Sequence, residues 1–161
     1  MPDMEQVFSA GSALAMAGWV ALGTAVFVPR ARPLVHRVTG RVVPLLLAIA
    51  YGLLIWQGFG EAPGGGFGTI AAVRALFVSD AALVAGWFHY LAFDLFVGTW
   101  IARTAAEERI HPLLIVPCLA LTLMLGPLGL VLFVLVRAVA GRGAGREQGS
   151  ASDDAVAVAA R

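Results

Sequence analysis

Asp94 stands near the centre of an apolar run, residues 81–102, that is long enough to cross a bilayer. An ionised carboxylate in hydrocarbon costs at least about 2.5–3.5 kcal/mol on insertion scales, so this group must be paired, protonated or turned toward a polar cavity. A carboxyl held in apolar surroundings is also a candidate acid–base group. The same run carries Trp87, His89, Tyr90 and Trp100. At about 100° per residue, Asp80, Trp87 and Asp94 share one helix face, and Tyr90 lies a turn before Asp94 and about 40° away, where its hydroxyl can donate to the carboxyl. His89 falls about 140° from Asp94, so the two cannot hold one ligand on a regular helix. His111 follows in the connection to the next apolar run and His36 precedes in an earlier loop. A metal would need both loops to fold inward, and no metal site is expected; the cofactor is left unassigned.

Each of these residues also has a structural reading. Asp94 can serve as an interhelical hydrogen-bonding group, because polar side chains hold helices together in lipid. His89 can be a satisfied buried imidazole, and Trp87, Tyr90 and Trp100 can be packing or interfacial anchors. Cys118, beside Pro117 on an apolar stretch, reads as inert, and as the single cysteine it forms no intramolecular disulfide. The sequence has no HExxH and no Gly-x-Ser-x-Gly elbow. Its glycine-rich stretch at residues 61–68 is not followed by the Lys-Ser or Lys-Thr of a phosphate-binding loop.

The elements that must position these residues are hydrophobic helices. The 161 residues are 60% hydrophobic and 13% charged, with a mean hydropathy of +0.86, well above the apolar usage of soluble domains. Apolar runs cover residues 7–28, 42–59, 81–102 and 113–136. They predict an all-α membrane protein: a bundle of about four transmembrane helices over residues 1–137, with a short interfacial or re-entrant segment at 69–77 before the third. Residues 138–161 read as a disordered polar tail. In the first run Ser9, Ala13, Ala17, Ala21 and Ala25 recur every four residues, which suggests a small-residue packing face. In the fourth, Gly126-Pro127 predicts a kink.

Pro29 opens a loop at residues 29–41 that holds Arg30, Arg32, His36, Arg37 and Arg41, the densest basic cluster of the chain. Short basic loops stay cytoplasmic. Four spans would then put Arg137, Arg142 and Arg146 on the opposite side, which leaves the side of the tail open. The acidic start does not resemble a signal peptide. A net charge of +1 gives no reason to expect a nucleic-acid partner.

The stretch from residue 87 to 137 resembles the family of small membrane proteins that includes the plant abscisic-acid-deficient-four protein, which is associated with neoxanthin formation in xanthophyll metabolism. The resemblance rests on Trp87, His89 and Asp94-Leu95-Phe96 in the third run, His111 before the fourth, Cys118-Leu119, and Pro127 followed by Gly129. Gly126 stands where the plant members tend to carry Cys before Pro, so a thiol-dependent role there does not transfer. The resemblance implies a protein of carotenoid metabolism but no substrate; the acidic start and the lack of a recognisable plastid transit peptide point to a bacterial inner membrane.

Two functions from different classes follow. The first is a carotenoid-modifying or carotenoid-binding protein, isomerase-like or epoxide-opening, in which Trp87, Tyr90 and Trp100 flank the rings and Asp94, His89 and His111 supply catalytic groups. The second is a noncatalytic scaffold or accessory subunit in which Asp94, His89 and Arg103 hold helices or a partner. A proton-linked carrier is a weaker third, since helices this few must associate as a homo-oligomer to enclose a path.

Overall fold

The computed structural model describes residues 3–60 and 62–140, so the expected tail falls outside the described residues from position 141 on. The described chain is helical throughout its regular elements, and three helices are long and apolar enough to cross a membrane. Helix α1 (Met4–Phe27) begins at Asp3, whose carboxylate accepts the Glu5 N–H at 3.1 Å. A short turn at Pro29–Ala31 leads into α2 (Arg32–Arg37), a π-helical turn at Val38–Val42, and α3 (Val43–Gly60). After α4 (Ile70–Leu76) comes the long α5 (Asp80–Glu107), then α6 (Pro112–Leu125) and α7 (Pro127–Ala140).

The basic segment expected as a loop is helical, and α2 runs into α3 as one rod. Pro29 and Pro33 occupy first-turn positions, where a missing N–H costs nothing. Arg32 folds back so that its guanidinium donates to the Ala25 and Val26 carbonyls at 3.1 and 2.8 Å. These belong to the last turn of α1, whose carbonyls have no intrahelical donor. The arginine thus caps one helix while starting the next.

Helix α5 is the axis of the bundle and packs against α1, α3 and α6. Small residues, Ala82, Ala85, Ala92, Gly98, Ala102 and Ala105, dominate its buried faces and let neighbouring helices approach. The packing face of α1 is not the expected one. Of the expected residues Ala25 is buried, but Ser9, Ala13 and Ala17 are exposed, and Gly11, Ala15, Gly18 and Leu22 complete the buried face. A strict four-residue repeat advances about 400° per step, so it drifts about 40° each time off any face; spacings that alternate four and three stay in register. Gly11 and Gly98 are closest-approach points: the Phe88 ring covers the first and the Trp19 indole the second, in space that a Cβ would need. Many large apolar side chains point outward, among them Val20, Leu45, Ile49, Leu53, Trp56 and Phe93, which is the arrangement of a lipid-facing surface. The buried threonine hydroxyls close on their own helices or on each other, as where Thr99 donates to Thr39 at 2.8 Å between α5 and the π turn.

Helix α4 fits the short interfacial segment expected before the third span. It has seven residues, is capped by the Thr69 hydroxyl accepting from Ala72 N–H at 3.1 Å, and has an exposed Ile70 at its start and an exposed Val78 just beyond its end.

The fourth apolar run shows more than a kink. The chain breaks at Gly126, with φ +42 and ψ −95, and reverses. Gly129 of α7 lies against the Thr122 backbone of α6. Further along α7, Phe133 meets Trp100 of α5 edge-on at 5.5 Å, and Arg137 forms an ion pair with Glu108, the residue that ends α5. Gly126 itself abuts Asp94, about 21 Å of helix away from Glu108 at 1.5 Å per residue. A continuing helix would carry Arg137 further from Glu108; only a returning one brings them together. Helices α6 and α7 therefore form a re-entrant hairpin whose tip lies at mid-bundle beside Asp94.

Candidate functional site

The hairpin tip creates the polar demand that Asp94 meets. In lipid, a helix end leaves backbone carbonyls without donors. At the end of α6 the Gly126 N–H takes the Thr122 carbonyl at 2.9 Å, and the Tyr90 hydroxyl donates to the Leu123 carbonyl at 3.2 Å. Tyr90 is also within electrostatic and hydrogen-bonding reach of the Asp94 carboxyl, one turn below it. The expected Tyr90–Asp94 neighbourhood is thus present, with the Leu123 carbonyl as a third member supplied by another helix.

Asp94 lies directly under Gly126: a Cβ on that glycine would come within 2.8 Å of Asp94 Oδ1. The other carboxylate oxygen, Oδ2, is buried and has no hydrogen-bond partner. Trp19 Nε1 and Ser79 Oγ share that condition among the described residues, but neither is ionisable in the working pH range.

Above Tyr90 a cavity of about 780 Å³ opens between the N-terminal ends of α1 and α5. Phe8, Phe77, Trp87 and Tyr90 wall it, and Asp3, Glu5 and Asp80 stand at its rim. Trp87 stacks on Tyr90 at 5.5 Å and meets Phe8 at 5.7 Å, while its indole N–H donates to Ser12 Oγ at 3.0 Å. The aromatic wall is therefore held in place from two helices. Asp94 does not line this cavity; Tyr90 is the residue that touches both.

The remaining expected site residues lie elsewhere. His89 is exposed on the far side of α5, between Tyr51 at 5.7 Å and Phe93 at 4.7 Å, away from Asp94 as the helical angle required. His111 caps α6, its Nδ1 accepting the Leu113 N–H at 3.3 Å, about 20 Å along that helix from the hairpin tip. Trp100 stands against Phe133 and lines a separate cavity near the arginine-rich end. Of the six expected residues, the fold gathers Asp94, Tyr90 and Trp87. Cys118 is buried, with its thiol donating to the Leu114 carbonyl at 3.2 Å. Among the described residues no three His, Cys, Asp or Glu side chains come together as a metal would require.

Sequence reasoning did not find Phe8, Phe77 or the acidic rim as parts of one cavity. Their only signal was an acidic residue near the start of each of two helices, which helix capping explains equally well. Gly126 was read for its bend, not as the surface against which Asp94 rests.

A family model, ABA DEFICIENT 4-like, matches residues 6–133, most of the chain and all of the helices up to the middle of α7. No curated protein and no solved structure matches the chain.

Proposed function

Since the chain belongs to the ABA DEFICIENT 4-like family of proteins, we propose that this integral membrane protein binds a carotenoid by an oxygenated ring and acts on it there. The observation that carries the proposal is the cavity walled by Phe8, Phe77, Trp87 and Tyr90. Its volume lies in the range of small-molecule sites, and it combines an apolar aromatic interior with a few acceptors at the mouth. A ring packs between the aromatic side chains, a ring hydroxyl donates to a rim carboxylate, and the polyene leaves along the lipid-facing surface.

Tyr90 is the link to chemistry. Opening an epoxide to an isomeric product needs a proton delivered to oxygen as the C–O bond breaks and a proton lost from a neighbouring carbon, so the exchange balances without an oxidant. Asp94, with Oδ2 unengaged, is the group to supply the oxygen's proton through the Tyr90 hydroxyl and, once ionised, to take the carbon's proton back by the same path, which restores it. His89 and His111 have no part in this scheme.

A scaffold reading has its own support, because Asp94 packs against the hairpin tip and Tyr90 is engaged with the Leu123 carbonyl. Pigment chromatography after expression in a xanthophyll-making host separates the two. A changed pigment profile that disappears in Asp94→Asn and Tyr90→Phe at unchanged protein level supports catalysis. An unchanged profile with pigment retained on the purified protein limits the role to binding, and loss of the Asp94→Asn protein from the membrane favours the scaffold. The same reading places the protein in a bacterial inner membrane with its arginine-rich end facing the cytoplasm.

A further inference from the structure

A second cavity, of about 670 Å³, opens at the end of the bundle opposite the aromatic one. Arg32, Arg37, Arg41 and Arg103 line it together with His36, and Glu107 is its one acidic side chain. The charge is only partly compensated. Arg103 pairs with Glu107 at 2.8 Å, and Arg32 is held on the last carbonyls of α1. Arg37 and Arg41 lie one helical turn apart and take part in none of the ion pairs among the described residues. Arg32, His36, Arg37 and Arg41 come to this cavity from one rod and Arg103 and Glu107 from α5, so basic groups converge on it from two separate helices.

The floor of this cavity is apolar, with Phe96 and Trp100, and Gly40, Arg41 and Phe96 are shared with a neighbouring groove. That groove, about 370 Å³, runs between α3 and α5 past Pro44, Leu45, Ala48 and Phe93, and has almost no polar lining. It points from the basic end toward the middle of the bundle along the outward-facing surface. Fixed positive charge at the mouth and an apolar channel leading off it have one common complement: a molecule with an anionic head and a hydrocarbon chain. The segregation also has a simpler origin, since arginines at one end of a bundle fix its orientation during insertion. Orientation requires the charges alone, not an apolar groove that begins among them.

We propose that this composite site holds an anionic membrane phospholipid, its phosphate on Arg37, Arg41 and Arg103 and one acyl chain in the groove between α3 and α5. Arginine suits the phosphate because its guanidinium offers paired donors. The proposal is independent of the carotenoid reading, which concerns the opposite end of the molecule and is read out in pigment.

The test uses the full-length protein equilibrated in neutral detergent with equal amounts of phosphatidylglycerol and phosphatidylcholine, followed by mass spectrometry of the lipid retained after repurification. Insertion orientation has no bearing in micelles, so the topogenic role of the arginines is removed from the measurement. Phosphatidylglycerol should be enriched on the wild-type chain. Arg37→Gln with Arg41→Gln should reduce the enrichment by at least about five-fold, the scale of one arginine's attraction to an anionic headgroup. Arg37→Lys with Arg41→Lys, which keeps the charge but loses the paired donors, should fall between the wild type and the glutamine variant and controls for folding. Ala48→Trp, which fills the groove and leaves every arginine in place, should also reduce it. The proposal is overturned if retention shows no headgroup preference or if the glutamine variant keeps the wild-type preference. It is equally overturned if Ala48→Trp has no effect while inorganic phosphate displaces the lipid, since the site then binds a free anion.

Discussion

The carboxyl of Asp94 rests against Gly126, the residue at which the fourth apolar run turns back on itself. One position therefore sets both the backbone reversal and the surroundings of the intramembrane acid. Gly126→Ala should be destabilising for two reasons, a positive φ that disfavours a side chain and a Cβ brought within 2.8 Å of Asp94 Oδ1. A cost of about 1–3 kcal/mol follows from the backbone alone. Thermal unfolding in micelles should show Gly126→Ala costing less in an Asp94→Ala background, because only the steric part is relieved; equal costs in both backgrounds would contradict direct packing.

The hairpin makes a prediction about sidedness. Three crossings and a re-entrant pair put the N-terminus on one side and the end of α7 on the other. In a Cys118→Ala background, single cysteines at Gln6 and Ala138 should react with a membrane-impermeant maleimide from opposite faces. Labelling from the same face would mean that α7 completes a fourth crossing. The reversal also collects Arg30, Arg32, Arg37, Arg41, Arg103, Arg109 and Arg137 at one end and leaves Arg74 at the other, so under the orientation proposed above the Ala138 cysteine is expected to react from the cytoplasmic side.

The three expected catalytic residues should separate by function. Asp94→Asn and Tyr90→Phe should abolish any pigment conversion, whereas His111→Ala should cost about 1 kcal/mol of stability through its lost helix cap and leave conversion intact. His89→Ala should do neither, since its ring only packs among Tyr51 and Phe93. Loss of conversion in His111→Ala at normal stability would return that residue to the site.

Trp87→Ala should lower pigment retained on the purified protein, because it removes one wall of the aromatic cavity and its anchor to Ser12. Trp87→Phe should keep most of the retention, since the apolar face survives without the indole N–H. Absorbance of the purified protein measures both, and equal retention in wild type and Trp87→Ala would rule the cavity out as the binding site.

The buried Thr39–Thr99 hydrogen bond joins the π turn to α5. A double-mutant cycle with Thr39→Val and Thr99→Val should give a coupling of about 0.6–1.7 kcal/mol, the range of interhelical hydrogen bonds in membranes. No coupling would mean that the two hydroxyls are satisfied by their own helices, through the Val35 and Leu95 carbonyls.

Composition and run length alone determined that this is an all-α membrane bundle, because lipid permits few other ways to satisfy a backbone. The 100° helical period likewise put Asp94, Tyr90 and Trp87 near one another and His89 apart, since all four belong to one regular helix. Relationships between helices were out of its reach. Trp100 has the residue type of a ring contact, yet only the return of α7 shows that it faces Phe133 and the arginine-rich cavity. Gly126-Pro127 signals a bend in either a kinked span or a hairpin, and the choice rests on contacts such as Gly129 with Thr122 and Arg137 with Glu108. A local sequence fixes how a helix begins, ends and presents its faces; which helix meets each face depends on packing between segments far apart in the chain. That packing decided where the intramembrane carboxyl lies: beneath the tip of a re-entrant hairpin.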